Sequence, residues 1–211
     1  NIKYGSLPRH TLNVFHNDQY ISLKEEEKVS EITYNKDNIL KPVILFIHGG
    51  AWGSGFKSMY GLLGRRMKNE CNYVSVIPNY RVYPSADISG QVRDIHKALL
   101  WTINNIEEYG GNNQQIYIMG HSSGAQIAML LLMCYAYEDT YIHQHIKGYI
   151  GLNGPYDIAQ HIKLEEIRRL HTTSPMLPAN SPNLPFIWTK QFDQLNNWNK
   201  TYHNNHIVDG V

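Results

Sequence analysis

Five short, mainly apolar runs constrain this chain more than any other feature: "PVILFI" (42–47), "YVSVIP" (73–78), "IYIM" (116–119), "IKGYIGL" (146–152) and "PFIW" (185–188). A strand with one wet face alternates apolar and polar residues, whereas an unbroken apolar run suits a strand covered on both faces. Helical patterns lie between the runs. From Ile88 the residues Val92, Ile95, Leu99, Ile103 and Ile106 recur at spacings of three and four, one face of an amphipathic helix. That helix is expected to stop at Tyr109-Gly110-Gly111, where glycine can take the left-handed cap. "QIAMLLLMCYAY" after Gly124 is apolar almost all round, so its helix is expected to be central and covered. Strands alternating with helices imply an α/β fold, a mostly parallel central sheet with helices on both faces. "HTLNVF" (10–15) and "EITYN" (31–35) also alternate like strands, and the charged "SLKEEEKVS" between them reads as an exposed loop.

The bulk numbers narrow the classes. With 211 residues, 42% hydrophobic and 18% charged, and no internal repeat, the chain fits one globular domain over residues 1–211. A net charge of +1 provides no field for nucleic acid or an anionic membrane. No apolar run reaches the ~20 residues of a membrane span, although a membrane-associated substrate would still be compatible. Cys71 and Cys134 form neither a disulfide framework nor a metal-ligand spacing, and are expected to be buried free thiols in an intracellular, reducing setting. His143 and His145 lack an accompanying carboxylate or thiol cluster, so neither metal nor organic cofactor is expected.

Two motifs carry chemistry. The first is Gly120-His121-Ser122-Ser123-Gly124, between the run 116–119 and the long apolar helix. With Gly and Ser at ~7% each, such a pattern arises by chance in roughly one chain of this length in fifteen, so the pattern alone decides little. Its place decides more. A strand that breaks into a helix at Gly-x-Ser-x-Gly is the sequence form of a nucleophile elbow, in which strand and helix pass too close for side chains at the two glycines. The second motif is "FIHGGAWGSG" (46–55), at the end of the first buried run. Its glycines leave backbone N–H groups free to meet a developing oxyanion, each worth about 3–4 kcal/mol in acyl transfer. The expected donors are the N–H groups of Gly50, Ala51 and Ser123, and His48 is expected to brace the loop. Together the motifs point to an esterase-type hydrolase.

"HGGAWGSG", followed by "NYRVYP" (79–84), "EYGG" (108–111) and "GHSSGA" (120–125), resembles the α/β-hydrolase superfamily. More narrowly it resembles the hormone-sensitive-lipase-like and carboxylesterase-like esterases with an HGG-type oxyanion loop. With "KYGSLPRHTLNVF" at the start, the run of motifs is most similar to isoprenylcysteine methylesterases, and kynurenine formamidases share much of it. The resemblance is dense over residues 40–157 and thin after Leu170. It implies the α/β-hydrolase fold, a Ser-acid-His order and a small-molecule ester as substrate, and it leaves the oligomeric state open.

The base is expected near the end, where His206 matches best and His203 is the alternative. The acid is harder to place. The resemblance implies an acid loop just after the strand 185–188, then a helix, another strand and the histidine. Residues 191–206 would have to hold a helix of about ten to twelve residues, a strand of about five and two connections, which leaves no room for the acid's loop. Loops near residues 190–201 that this sequence lacks are therefore expected. If nothing is missing, Asp193 is the default acid; Asp157 reads as a helix cap with Gln160, and Asp209 falls after the base. Trp52, Tyr156 and Trp188 lie near predicted strand ends and are candidates for the substrate pocket. Two other readings stay open: an N-formyl amide hydrolase like the formamidases, and a non-catalytic small-molecule receptor on a hydrolase scaffold.

Overall fold

Three of the apolar runs become the middle of one sheet, and the run 146–152 forms an edge of it among the described residues. The structure, a computed structural model, describes residues 1–16, 40–136 and 139–180. Its strands are β1 (Ile2–Lys3), β2 (Thr11–Phe15), β3 (Lys41–Ile47), β4 (Val74–Pro78), β5 (Gly111–His121) and β6 (Ile146–Leu152). Among the described residues they lie in the order β1-β2-β4-β3-β5-β6. The pairs β4/β3, β3/β5 and β5/β6 are parallel, and β1 and β2 add an antiparallel edge.

Period-two geometry then sorts the side chains. Val43, Leu45 and Ile47 of β3 join Val74, Val76, Ile116 and Ile118 on one face, the larger part of the core. Ile44 and Phe46 point the other way, to Ile77 and Met67. Both faces are covered because both are apolar. On the larger face lie α2 (Ile88–Asn105) and α3 (Ser123–Leu131); on the smaller lies α1 (Gly61–Cys71). The helix α2 starts where the Asp87 carboxylate accepts the Gly90 N–H at 2.8 Å. It tightens into a 3-10 turn over Ile106–Tyr109 and ends at Gly110, whose φ of 76° needs no Cβ. As its all-round apolar sequence requires, α3 is covered, every residue but Met129 being buried. Two short helices, α4 (Thr140–His145) and α5 (Ile158–Ile167), flank β6, and α6 (Met176–Asn180) follows.

Some boundaries differ from expectation. The strand read as 116–119 begins at Gly111, because the polar residues 112–115 continue the backbone path and Gly111 pairs with Lys41. No helix was expected over α1. Its inward face is narrow, with Gly64 and Met67 buried and Leu62 left exposed, so the apolar period is hard to read. Cys71, expected inside, is exposed at the end of that helix. "EITYN", "SLKEEEKVS" and "PFIW" lie outside the described residues.

The antiparallel edge is tied to the core by charge. Asp94, fully buried on α2, receives Arg81 through Nε at 2.9 Å, Nη2 at 2.7 Å and the backbone N–H at 3.0 Å, with His10 Nε2 3.0 Å away. Burial alone would raise the Asp94 carboxyl, but the hydrogen bonds from Arg81 and His10 prevail and hold it below its ordinary range. A depressed carboxylate contributes stability above its unfolded pKa and loses that contribution as pH falls through the carboxylate range. Asp94→Asn should cost about 2–4 kcal/mol in urea unfolding, less than a wholly buried pair because Arg81 keeps 29% exposure. It should also weaken the acid-dependent loss; equal midpoints for variant and wild type would contradict this role.

Candidate active site

Three parallel strands end level with one another. Ile47 of β3 is opposite Gly120 of β5, which is opposite Gly151 of β6, and His121 is opposite Leu152. The loops that leave these ends therefore meet at one place, the carboxyl edge where open α/β sheets bind ligands.

Between β5 and α3 a single residue turns the chain. Ser122 has φ 52° and ψ −126°, a conformation that side-chain-bearing residues rarely adopt and that costs about 1–3 kcal/mol. Its N–H donates to the Leu152 carbonyl at 2.8 Å, which joins the turn to β6. The glycines on either side explain how the turn closes. A Cβ at Gly120 would strike the backbone of Gly124 and Ala125, and one at Gly124 would strike the carbonyls of Ile47 and His48. An ordinary glycine turn would show open space there.

The loop after β3 is wound by three successive positive φ values, 142° at Gly50, 47° at Ala51 and 61° at Trp52. The Gly50 carbonyl accepts the N–H groups of Gly53 at 3.1 Å and Ser54 at 2.9 Å, and the Ser54 hydroxyl at 2.9 Å. With that carbonyl turned into the loop, the N–H groups of Gly50 and Ala51 have no acceptor among the described residues. Ser123 opens α3, and a helix provides no internal partner for its first N–H groups. Trp52 locks the loop from below: its carbonyl accepts Tyr83 N–H at 2.8 Å and Gln91 Nε2 at 2.9 Å, and its indole N–H donates to Gln126 Oε1 at 2.8 Å. The Trp52 ring is 3% exposed and belongs to the core under the loop.

Loop and elbow touch. A Cβ at Gly49 would lie 2.8 Å from the His121 carbonyl oxygen and 3.0 Å from the Ser122 Cβ. His48, one residue back, is fully buried, stacks on Tyr80 at 4.3 Å and keeps Nδ1 2.9 Å from the Gly49 carbonyl. The Tyr80 hydroxyl donates to the His48 carbonyl at 2.7 Å. Burial pushes the His48 imidazole down to about 4, so it is neutral near pH 7 and acts as a brace.

At the end of β6, the Tyr149 hydroxyl donates to the Ala125 carbonyl at 2.9 Å and meets the Tyr156 hydroxyl at 2.6 Å. Tyr156 is half-exposed and borders an open groove of about 630 Å³ shared with Pro155, Gln160, Lys163 and Leu164. Asp157 caps α5, its carboxylate accepting the Gln160 N–H at 3.0 Å. His145 Nδ1 lies 2.8 Å from the Asn113 carbonyl, and among the described residues no group of three or more His, Cys, Asp or Glu could hold a metal. No helix among them is long and apolar enough to cross a membrane.

The structure thus brings together Ser122, Ser123, Gly50 and Ala51. Asp193, His203, His206 and Trp188 lie outside the described residues, as do residues 190–201. Two residues escaped the sequence reading, Tyr60 and Gln126. Gln126 had a signal, a single amide in an otherwise apolar helix; Tyr60 had none.

Residues 31–177 match the BD-FAE family model. The chain belongs to the BD-FAE family. Among curated relatives, an isoprenylcysteine alpha-carbonyl methylesterase from Arabidopsis thaliana is 32% identical over 74% of this chain and 34% of its own length. A probable isoprenylcysteine alpha-carbonyl methylesterase from Oryza sativa subsp. japonica is 36% identical over 56% of this chain and 29% of its own. This BD-FAE chain spans about a third of the length of those relatives. An inhibited esterase B from Lactobacillus rhamnosis superposes with a TM-score of 0.67 at 16% identity, covering 88% of this chain and 58% of that one. That likeness gives the fold, the α/β-hydrolase arrangement expected from the motifs.

The lowered His48 value has a measurable sign. A histidine held neutral by burial stabilises the fold above its unfolded pKa, and that contribution is lost as pH falls from about 6.5 towards 4. Urea unfolding should show a decline of up to about 3 kcal/mol across that window, and His48→Asn should flatten it. Parallel curves for the two proteins would contradict a buried neutral His48.

Proposed function

We propose that this protein is a serine hydrolase of carboxylic esters that works through an acyl-enzyme. The observation that carries the reading is Ser122 at φ 52° between two glycines that admit no side chain, set against a loop of three positive-φ residues. A serine is held in that conformation at a cost, and the turn sets it where β5 gives way to the first turn of α3.

His206 takes the proton from the Ser122 hydroxyl as Oγ attacks the ester carbonyl, with a carboxylate orienting the imidazole, which is Asp193 if no loop near residues 190–201 is missing. The N–H groups of Gly50, Ala51 and Ser123 receive the oxyanion of the tetrahedral intermediate. His206 returns the proton to the departing alcohol; water, activated the same way, then releases the acid and regenerates Ser122. Tyr156 and Trp188 border the substrate. The methylesterase names of the relatives favour a prenylcysteine methyl ester.

A fluorophosphonate should add once to the wild-type protein by intact mass, and not to Ser122→Ala or His206→Ala. On substrate, Ser122→Ala should lose about 10⁴-fold or more in kcat. Turnover of a prenylcysteine methyl ester should exceed that of a short p-nitrophenyl ester and of N-formylkynurenine. Preference for the formyl amide would make the protein a formamidase, and a folded wild type that takes no label would make it a receptor.

A further inference from the structure

We propose that Tyr60 is a positioning residue that fixes the nucleophile elbow against the oxyanion loop through its hydroxyl. The proposal rests on the serine-hydrolase reading above. The Tyr60 oxygen lies 2.9 Å from His121 Nδ1 and accepts the Gly49 N–H at 3.4 Å. His121 directly precedes the nucleophile Ser122, and Gly49 directly precedes the donor Gly50. One hydroxyl therefore touches both halves of the site, each one residue away from the reacting groups.

The residue is itself well anchored. It ends the 3-10 turn Lys57–Tyr60, whose first N–H donates to Asn79 Oδ1 at 2.7 Å beyond the end of β4. Its ring lies 4.8 Å from that of Phe46, on the smaller face of the sheet. The oxygen is thus carried by a ring whose position does not depend on the hydrogen bonds. Close approach does the rest: a Cβ at Gly49 would lie 2.8 Å from the His121 carbonyl oxygen and 3.1 Å from its Nδ1, so glycine lets the loop sit close against His121. By engaging the Gly49 N–H, Tyr60 also leaves oxyanion binding to the N–H groups that follow, those of Gly50 and Ala51. Catalytic constellations tolerate about 0.5 Å of error, and a displacement of about 1 Å can cost a hundredfold in rate. A bridge between nucleophile and donors holds that separation.

Tyr60→Phe removes the hydroxyl and keeps the ring. On a short p-nitrophenyl ester its kcat should fall roughly tenfold with KM within about twofold, while the melting temperature stays within about 3 °C. The rate of Ser122 phosphonylation should fall in parallel. His121→Ala should show a similar loss, and His121→Asn, which keeps a hydrogen-bonding atom near the Nδ1 position, should recover at least half of it. The double variant Tyr60→Phe, His121→Ala should lose no more than the worse single variant, since both remove the same bond. Wild-type kcat in Tyr60→Phe, or losses that multiply in the double variant, would overturn the proposal alone. A wild type that takes no phosphonate would overturn the serine-hydrolase reading, and the proposal with it.

Discussion

Where β5 turns into α3, backbone must pack directly on backbone, and the geometry of the site depends on that contact. Gly120 lies on Gly124 and Ala125, and Gly124 lies on the carbonyls of Ile47 and His48. Three elements, β3, β5 and α3, converge without a side chain between them. The convergence fixes how far Ser122 can stand from the loop that leaves β3. It also explains why the strain at Ser122 persists: the N–H bond to Leu152 and the packed helix behind it leave no relaxed alternative.

Around this contact the polar groups act as struts. Trp52, Gln91 and Gln126 hold the loop after β3 from the core side, and Tyr80 holds it through the His48 carbonyl. Arg9, from the antiparallel edge, donates to the carbonyls of Tyr80 and Gly55 at 2.7 and 2.6 Å, so even the outlying strands reach the loop. Buried polar groups are costly unless paired, and here the pairing fixes the position of a loop whose backbone alone would not hold it.

The sequence made much of this legible, for identifiable reasons. Unbroken apolar runs give central strands because both faces are covered, and β3 and β4 fall within a residue of their runs. Strand β6 matches the bounds of its run but, with Lys147 and two glycines in it, is the edge of the described sheet and stays largely exposed. The Gly-x-Ser-x-Gly elbow was readable because steric exclusion leaves no choice of residue at 120 and 124. The capping role of Asp157 was readable because its partner is three residues away. What stayed hidden was either weakly patterned or non-local. Helix α1 buries too narrow a stripe to show a period. Strand β5 runs on through polar residues, since the ladder with Lys41 needs only backbone. Tyr60 reaches His121 across 61 positions of sequence, and no local pattern announces such a contact.

We propose that Ser122 faces donors from the loop after β3 and from the start of α3. A crystal structure of the fluorophosphonate adduct measures this directly. Phosphorus should be bonded to Ser122 Oγ, with the phosphoryl oxygen about 2.7–3.1 Å from the backbone nitrogens of Gly50, Ala51 and Ser123. A phosphoryl oxygen turned to solvent, or held by groups outside that loop and helix, would contradict it.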